Sequence, residues 1–151
     1  MADQSVLPAT VNVLGDVRQF IKDAASQAGL DRKSTYNLQL ALDEIVTNVI
    51  LYGYEASGLT GNVVLKSDIT EKSLVITLED TGIAYDPRTR EMPDEDDLSK
   101  DLEDRPIGGL GIYLAINGVD EFNYERAGNR NINTFTVYQS RRRQQTGGGL
   151  S

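Results

Sequence analysis

The chain has 151 residues, 39% hydrophobic residues and a formal net charge of −8, as suits a single globular domain with its own core. Its acidic surface disfavours nucleic acid and anionic lipid as partners. Cysteine and histidine are both absent, which excludes disulfides, thiolate metal sites and histidine-dependent catalysis. Chemistry must then rest on carboxylates, amides, hydroxyls and backbone groups, with Mg²⁺ as a candidate cation.

The N-terminal part of the chain is predicted to form a strand and a helix. The first residues lack the basic region and apolar run of a signal peptide, and no stretch is apolar and long enough to span a membrane, so we expect a cytoplasmic protein. β-branched residues predict a strand over 6–13. Apolar residues at helical spacing then predict a helix over 14–28, with Gly29 as its C-terminal cap.

A second helix and two strands are predicted next. The helix spans 32–52, with Asp31 as its N-cap and Gly53 at its end. Alternating β-branched and polar residues predict strands over 62–66 and 74–78, joined by a polar turn.

The second half of the chain changes character. Apolar periodicity fails over 81–106, where acidic residues cluster, and this stretch is too long for an ordinary connector. A short helix is predicted over 111–117, and then a hairpin with strands over 121–126 and 132–138 and a turn at 127–130. The last residues have no core-forming pattern, so a domain over 1–139 and a disordered tail over 140–151 are predicted.

Glu44 and Asn48 lie one turn apart within 40–50, the most apolar stretch of the second helix. Such a helix should be largely buried, and burying an unpaired carboxylate is costly. The pair is therefore expected to face a metal ion or a phosphate-bearing ligand. The plainer alternative is two solvated neighbours on a helix surface.

Two glycine-containing segments are candidates to complete such a site. In Asp80-Thr81-Gly82, which follows a predicted strand, the carboxylate can accept a hydrogen bond from an amine such as that of adenine, and the glycine permits close approach to a flat ring. Gly108-Gly109-Leu110-Gly111 leads into a helix whose N–H groups favour phosphate, with Arg105 just upstream. Taken singly, these segments could equally be a turn and a flexible loop.

In this order the motifs resemble the N, G1 and G2 boxes of the GHKL ATPase superfamily. The matching residues are Glu44-x-x-x-Asn48, Asp80-x-Gly82 and Gly108-Gly109-Leu110-Gly111. The resemblance is greatest to the smallest members, the anti-sigma-factor serine kinases of bacteria, and it runs over 6–138. The segments that follow the pattern of this branch are Tyr52-Gly53-Tyr54, Tyr85-Asp86-Pro87 and Arg105-Pro106-Ile107.

The resemblance implies a site for ATP and Mg²⁺. Asn48 would hold the Mg²⁺, and Glu44 would act as the general base on the attacking hydroxyl. Asp80 would recognise the adenine amine, with Gly82 beside the ring. Thr134 matches a family position that supports the adenine contact through hydrogen bonding.

The phosphate end of the implied site lies further along the chain. Residues 86–105 would form a lid over ATP, and Arg105 would reach a terminal phosphate. The sequence departs from the family pattern at Asn133, which stands where glycine usually precedes Thr134. The glycine-rich residues that would surround the phosphates are Gly108, Gly109, Leu110 and Gly111.

The resemblance also implies the architecture. The fold would be α+β, a two-layer α/β sandwich in which a mixed, mainly antiparallel sheet carries helices on one face. The bottom-up pattern agrees, because two long helices and about five strands make two layers. The other face of the sheet is predicted to form a homodimer.

The leading hypothesis is an ATP-dependent serine/threonine protein kinase that acts as an anti-sigma regulatory factor. It would bind a sigma factor and phosphorylate an anti-sigma antagonist, with Arg18 on the first helix as a candidate contact to the partner. The alternative is a non-catalytic ATP/ADP-sensing module that binds a partner protein. The presence of Glu44 favours the kinase, because a pure binder needs no base.

Overall fold

Five antiparallel strands form one sheet in the computed structural model, which describes residues 2–89, 112–113 and 116–139. The strand order is β1-β2-β3-β5-β4, and all four pairings are antiparallel. Helix α1 packs against α2 and against the central strands β2 and β3. The bounds are β1 Ala2–Pro8, α1 Leu14–Ala28, α2 Arg32–Asn48, β2 Asn62–Ile69, β3 Ser73–Asp80, β4 Glu121–Ala127 and β5 Arg130–Tyr138.

This is the predicted two-layer α+β fold, with both helices contributing to a single core. Apolar side chains fill the layer between helices and sheet, because each element buries one face against the other. In the part of the chain that the structure covers, no helix is of a length and hydropathy that would cross a membrane. The largest fully buried side chains include Tyr54, Phe135, Ile21, Leu38, Leu42 and Ile45.

The first strand lies earlier in the chain than predicted. β1 pairs with β2 from Ala2 to Pro8, and Val11–Val13 form a 3₁₀ turn that leads into α1. The prediction of a strand over 6–13 was therefore wrong in its bounds. After Pro8, Ala9 N–H still donates to the Gly61 carbonyl oxygen, but Thr10 N–H donates back to the Pro8 carbonyl oxygen. The chain therefore turns away from β2, and the β-branched residues beyond this turn do not continue the strand.

Helix α1 confirms its prediction. Its apolar stripe is buried, and Gly29 adopts a left-handed conformation with φ of 72°, its N–H bonding back to Ala25 and Ser26 carbonyls. A left-handed residue at this position closes the helix, and glycine adopts it without steric cost.

The second helix begins as predicted but does not stop at Gly53. The Asp31 carboxylate accepts a hydrogen bond of 2.7 Å from Ser34 N–H, which caps the helix. After Asn48 the chain continues as a π-helical segment, Val49–Glu55, that runs through Gly53. π-helical turns widen a helix locally and are frequent at functional sites.

The C-terminal hairpin is confirmed with longer strands and a shorter turn. Only Gly128 and Asn129 connect β4 to β5, and Gly128 has φ of 63°. β5 therefore begins two residues before its predicted start, which adds Asn131 to the ladder opposite Asp80. Of the predicted helix over 111–117, residues 112–113 and 116–117 are helical. The predicted tail and nearly all of the predicted lid lie outside the described residues.

Candidate functional site

Asp80 is the last residue of β3, and its carboxylate is almost completely buried. The residue is 3% exposed, and its Oδ1 accepts hydrogen bonds of 2.9 Å from Gly82 N–H and from the Asn131 amide. Its Oδ2 is buried and has no partner among the described residues. Burial raises the pKa of Asp80 above its ordinary value, against the hydrogen bonds from Asn131 and Gly82 and the charge of Arg126. One buried oxygen is thus left to accept a hydrogen bond from a ligand.

Gly82 lies against the π-helical segment so closely that no side chain would fit. A Cβ placed on Gly82 would be 2.6 Å from the Gly53 carbonyl oxygen. That same oxygen accepts a 3.2 Å hydrogen bond from Ile83 N–H, and Arg126 donates a 3.0 Å bond to the Gly82 carbonyl. These contacts join the end of β3 to the segment that follows Asn48, and they explain why glycine is required here.

Asn131 holds this strand end together and was missed by sequence reasoning. Its amide nitrogen donates to Asp80 and, at 2.8 Å, to the Ile83 carbonyl. Its Oδ1 accepts from Tyr85 N–H at 3.3 Å and from the Tyr124 hydroxyl. The available signal was the alternation of 131, 133, 135 and 137, which places two asparagines on the buried face of β5.

The register of β5 separates Thr134 from Asp80. Directly paired residues share a face of the sheet, and Thr134 pairs with Thr77 and Asn123 on the face away from the helices. The structure therefore does not bring Thr134 to Asp80, and the predicted role of Thr134 beside adenine does not follow from this geometry. The preceding residue, Asn133, lies on the same face as Asp80.

Glu44 and Asn48 do lie together near the end of α2. Asn48 is 4% exposed, Glu44 is partly exposed, and the Asn48 amide nitrogen lies 3.4 Å from Glu44 Oε1. Because the nitrogen faces Glu44, Oδ1 is the Asn48 atom left for a cation. An amide oxygen beside a carboxylate is the hard oxygen chemistry that suits Mg²⁺, so these side chains fit that ion.

The two halves of the predicted site meet through the backbone. Glu44 and Asn48 precede Gly53 on one continuous helical segment, and Gly53 contacts Gly82, two residues after Asp80. The fold thus brings the acid–amide pair and the strand-end carboxylate to one region. Such an arrangement can accept a ligand N–H at one end and hold a cation at the other.

One further predicted residue, Arg18, lies in the described part of the chain. Arg18 on α1 forms an exposed ion pair of 2.9 Å with Asp43, the residue before Glu44. The predicted phosphate-binding residues lie outside the described part of the chain; they are Arg105, Gly108, Gly109, Leu110 and Gly111.

Some known proteins are similar to this chain in sequence, and a solved structure is similar to it in fold. The serine-protein kinase RsbW of Listeria monocytogenes is 28% identical over 116 residues, which cover 76% of this chain and 73% of that relative. RsbW of Bacillus licheniformis is 29% identical over 122 residues, which cover 76% of this chain and 71% of the relative. The crystal structure of the RsbU and RsbW domains of Rv1364c from Mycobacterium tuberculosis aligns with a TM-score of 0.62 and 17% identity.

The alignment with the mycobacterial structure covers 91% of this chain and 32% of that one, so the likeness concerns the fold of one part of it. A family profile supports the same assignment from sequence. The profile described as histidine kinase-like ATPase domain matches residues 7–137, nearly the whole chain. The chain therefore belongs to the histidine kinase-like ATPase domain family.

Proposed function

We propose that this chain is an ATP-dependent serine/threonine protein kinase that acts as an anti-sigma regulatory factor. The observation that carries the proposal is the buried Asp80 Oδ2, which has no hydrogen-bond partner in the part of the chain that the structure describes and is joined through Gly82 and Gly53 to the Glu44–Asn48 pair. Relatives named serine-protein kinase RsbW support the reaction. The kinase would bind a sigma factor and phosphorylate an anti-sigma antagonist, in the cytoplasm.

At the base end, Asp80 Oδ2 would accept a hydrogen bond from the adenine amine. The other oxygen of the carboxylate, Oδ1, already accepts hydrogen bonds from Gly82 N–H and the Asn131 amide. These bonds hold the carboxylate in the orientation that directs Oδ2 to the ligand. Gly82 would lie beside the ring, and its missing side chain leaves room for the Gly53 carbonyl oxygen, which a Cβ at Gly82 would approach to 2.6 Å. This part of the site recognises the nucleotide and takes no part in the chemistry.

At the phosphate end, Asn48 would hold Mg²⁺ through Oδ1. The ion supplies charge neutralisation on the phosphates when bound. Glu44 would take the proton from a serine hydroxyl as its oxygen forms a bond to the γ-phosphorus and the bond to the β-phosphate oxygen breaks, leaving ADP. Arg105 and the segment 108–111 would contact the phosphates.

The test is transfer of labelled phosphate from ATP, with Mg²⁺, to an anti-sigma antagonist protein. We expect labelled phosphoserine with the wild-type chain and loss of transfer in Glu44→Ala. Glu55→Ala, an exposed glutamate of the same helical segment, is the matched control and should retain transfer. No transfer by the wild type, or equal transfer by Glu44→Ala, would overturn the kinase proposal.

A non-catalytic ATP/ADP-sensing module is the second candidate, favoured by the Glu44–Asn48 contact of 3.4 Å. On this view Glu44 only orients the Asn48 amide, and the nucleotide changes how the chain binds its partner. Calorimetric ATP binding without any phosphate transfer supports this candidate. The same binding accompanied by Glu44-dependent transfer excludes it.

The face of the sheet away from the helices would pair two copies of the chain. Val6 is 53% exposed there, and Val64, Val75 and Ile132 are half-buried on the same face. Apolar residues exposed together favour association. Sedimentation velocity of the wild type and of Val6→Asp would test this pairing, with a dimer expected for the first and a monomer for the second.

A further inference from the structure

Asn133 carries a buried amide that the fold does not use. The residue is 0% exposed, and neither its Nδ2 nor its Oδ1 has a hydrogen-bond partner among the described residues. Nearly all buried polar groups in proteins are hydrogen-bonded, and leaving one unpaired is costly. An amide with both atoms unpaired therefore points to a ligand that supplies the missing partners.

The register places this amide next to Asp80. On the helix-facing side of the sheet Asp80 pairs with Asn131, and Asn133 is the next residue of β5 on that side, between Leu78 and Tyr124. Diagonal neighbours of this kind lie roughly 7 Å apart at their backbones. An Asp and an Asn side chain on one face at that separation can each contact one of two neighbouring atoms of a flat ring that lies between them.

The neighbouring polar side chain of Asn131 does not pair with Asp80 Oδ2 or with the Asn133 amide. Its hydrogen bonds are with Asp80 Oδ1, Ile83, Tyr85 and Tyr124. Asp80 Oδ2 can only accept while the carboxylate is ionised, whereas the Asn133 amide can donate. Among the described residues, β3 and β5 thus present on this face one unpaired acceptor, Asp80 Oδ2, and one unpaired amide, that of Asn133.

We propose that Asn133 reads the N1 edge of the purine directly, its amide N–H donating to N1 while Asp80 Oδ2 accepts from the 6-amino group. The inference rests on the proposed nucleotide site and adds the atom of the base that this chain recognises. Adenine presents a donor at position 6 and an acceptor at N1. Hypoxanthine and guanine present the reverse, so the pair selects adenine.

The experiment compares nucleotide analogues by calorimetry. Replacing N1 by C–H, in 1-deaza-ATP, should weaken binding to the wild type by about fivefold to tenfold, the effect of one hydrogen bond. The control analogue 7-deaza-ATP is altered on the opposite edge of the base and should bind as ATP does. Asn133→Leu should bind ATP and 1-deaza-ATP equally.

Two further measurements separate recognition from a merely structural role. Thr136→Val, on the same strand but on the opposite face, should keep the wild-type discrimination between ATP and 1-deaza-ATP. Asn133→Leu should raise the melting temperature of the nucleotide-free chain by roughly 2–6 °C, because it removes the unpaired amide. A structural asparagine would lower that temperature when replaced.

The outcomes distinguish the inference from the proposal on which it depends. If the wild type binds ATP but does not discriminate against 1-deaza-ATP, or if Asn133→Leu discriminates as the wild type does, the N1 contact is overturned and nucleotide binding stands. If the wild type does not bind ATP at all, both are overturned.

Discussion

The two ends of the proposed site are built differently. At the base end, Asp80, Gly82 and Asn131 are buried and joined by short hydrogen bonds to strand and loop backbone. At the phosphate end, Glu44 is partly exposed and its contact with Asn48 is 3.4 Å long. The first is held by hydrogen bonds from several elements, whereas the printed contact at the second joins two side chains one turn apart on α2.

This difference matches the tasks of the two ends. A rigid, desolvated pocket discriminates among ligands because its unused polar atoms must be paired. A base must reach a hydroxyl delivered by a separate protein, so partial exposure of Glu44 suits it. Changes at the base end should therefore affect nucleotide affinity and stability, and changes at the phosphate end should affect the rate of transfer.

The largest expected effect is at the phosphate end. Glu44→Gln keeps the size of the side chain but removes the general base, so the rate of phosphate transfer should fall by about 10²–10⁴-fold. The dissociation constant for ATP should stay near the wild-type value, since Glu44 would not contact the adenine ring. Single-turnover transfer and calorimetry measure the two quantities. A parallel loss of affinity and rate would contradict the division of tasks.

Asp80→Asn should produce the opposite pattern. Replacing the acceptor oxygen by an amide weakens ATP binding by about 10-fold to 150-fold, the effect of a hydrogen bond to a charged group. Calorimetry with ATP measures this loss. Transfer at saturating ATP should be nearly unchanged, because the chemistry takes place at the other end. An Asp80→Asn variant that binds ATP normally would show that Asp80 does not contact the nucleotide.

The same carboxylate should make folding stability depend on pH. Because burial raises the pKa of Asp80 in the folded chain, the folded state binds more protons than the unfolded state above pH 3.8. Its contribution to stability is fully present below that pH and is lost as the pH rises through the raised folded pKa. Urea unfolding of the nucleotide-free chain across this window should show the loss, and Asp80→Asn should lack it.

Gly82→Ala tests the backbone contact that joins the two ends. A methyl group 2.6 Å from the Gly53 carbonyl oxygen forces the strand end and the helical segment apart. The free energy of unfolding should fall by about 1–3 kcal/mol, and ATP affinity should fall with it. Urea unfolding measures the first quantity. Gly15→Ala, where a Cβ meets nothing within 4 Å, is the control and should not be destabilised.

The smallest effect is expected at the surface beside Glu44. Arg18→Ala breaks the exposed ion pair with Asp43, which should change stability by less than about 1 kcal/mol. Asp43→Ala breaks the same pair and serves as the matched variant. If Arg18 contacts the partner protein, only Arg18→Ala should weaken binding of a sigma factor in a pull-down titration. Equal loss in both variants would assign the effect to the ion pair.

Local sequence signals predicted the elements that depend on local physics. Gly29 and Asp31 marked helix ends because a left-handed cap and a carboxylate cap are properties of a few consecutive residues. The continuation of the second helix past Gly53 could not be predicted from such local signals. The π-helical segment is tied to Gly82, almost thirty residues away, through the Ile83 N–H and the Gly53 carbonyl.

Short motifs in a fixed order were enough to identify the family, and the resemblance implied its two-layer α+β fold; helical spacing placed Glu44 and Asn48 on one face. The sharing of a face by Asp80, Asn131 and Asn133, and not Thr134, became evident only from the strand pairing. The physical reason is that neighbouring residues of a strand point to opposite faces, so an assignment displaced by one residue moves every side chain to the other side. That register is set by pairing with β3, which no motif within β5 records.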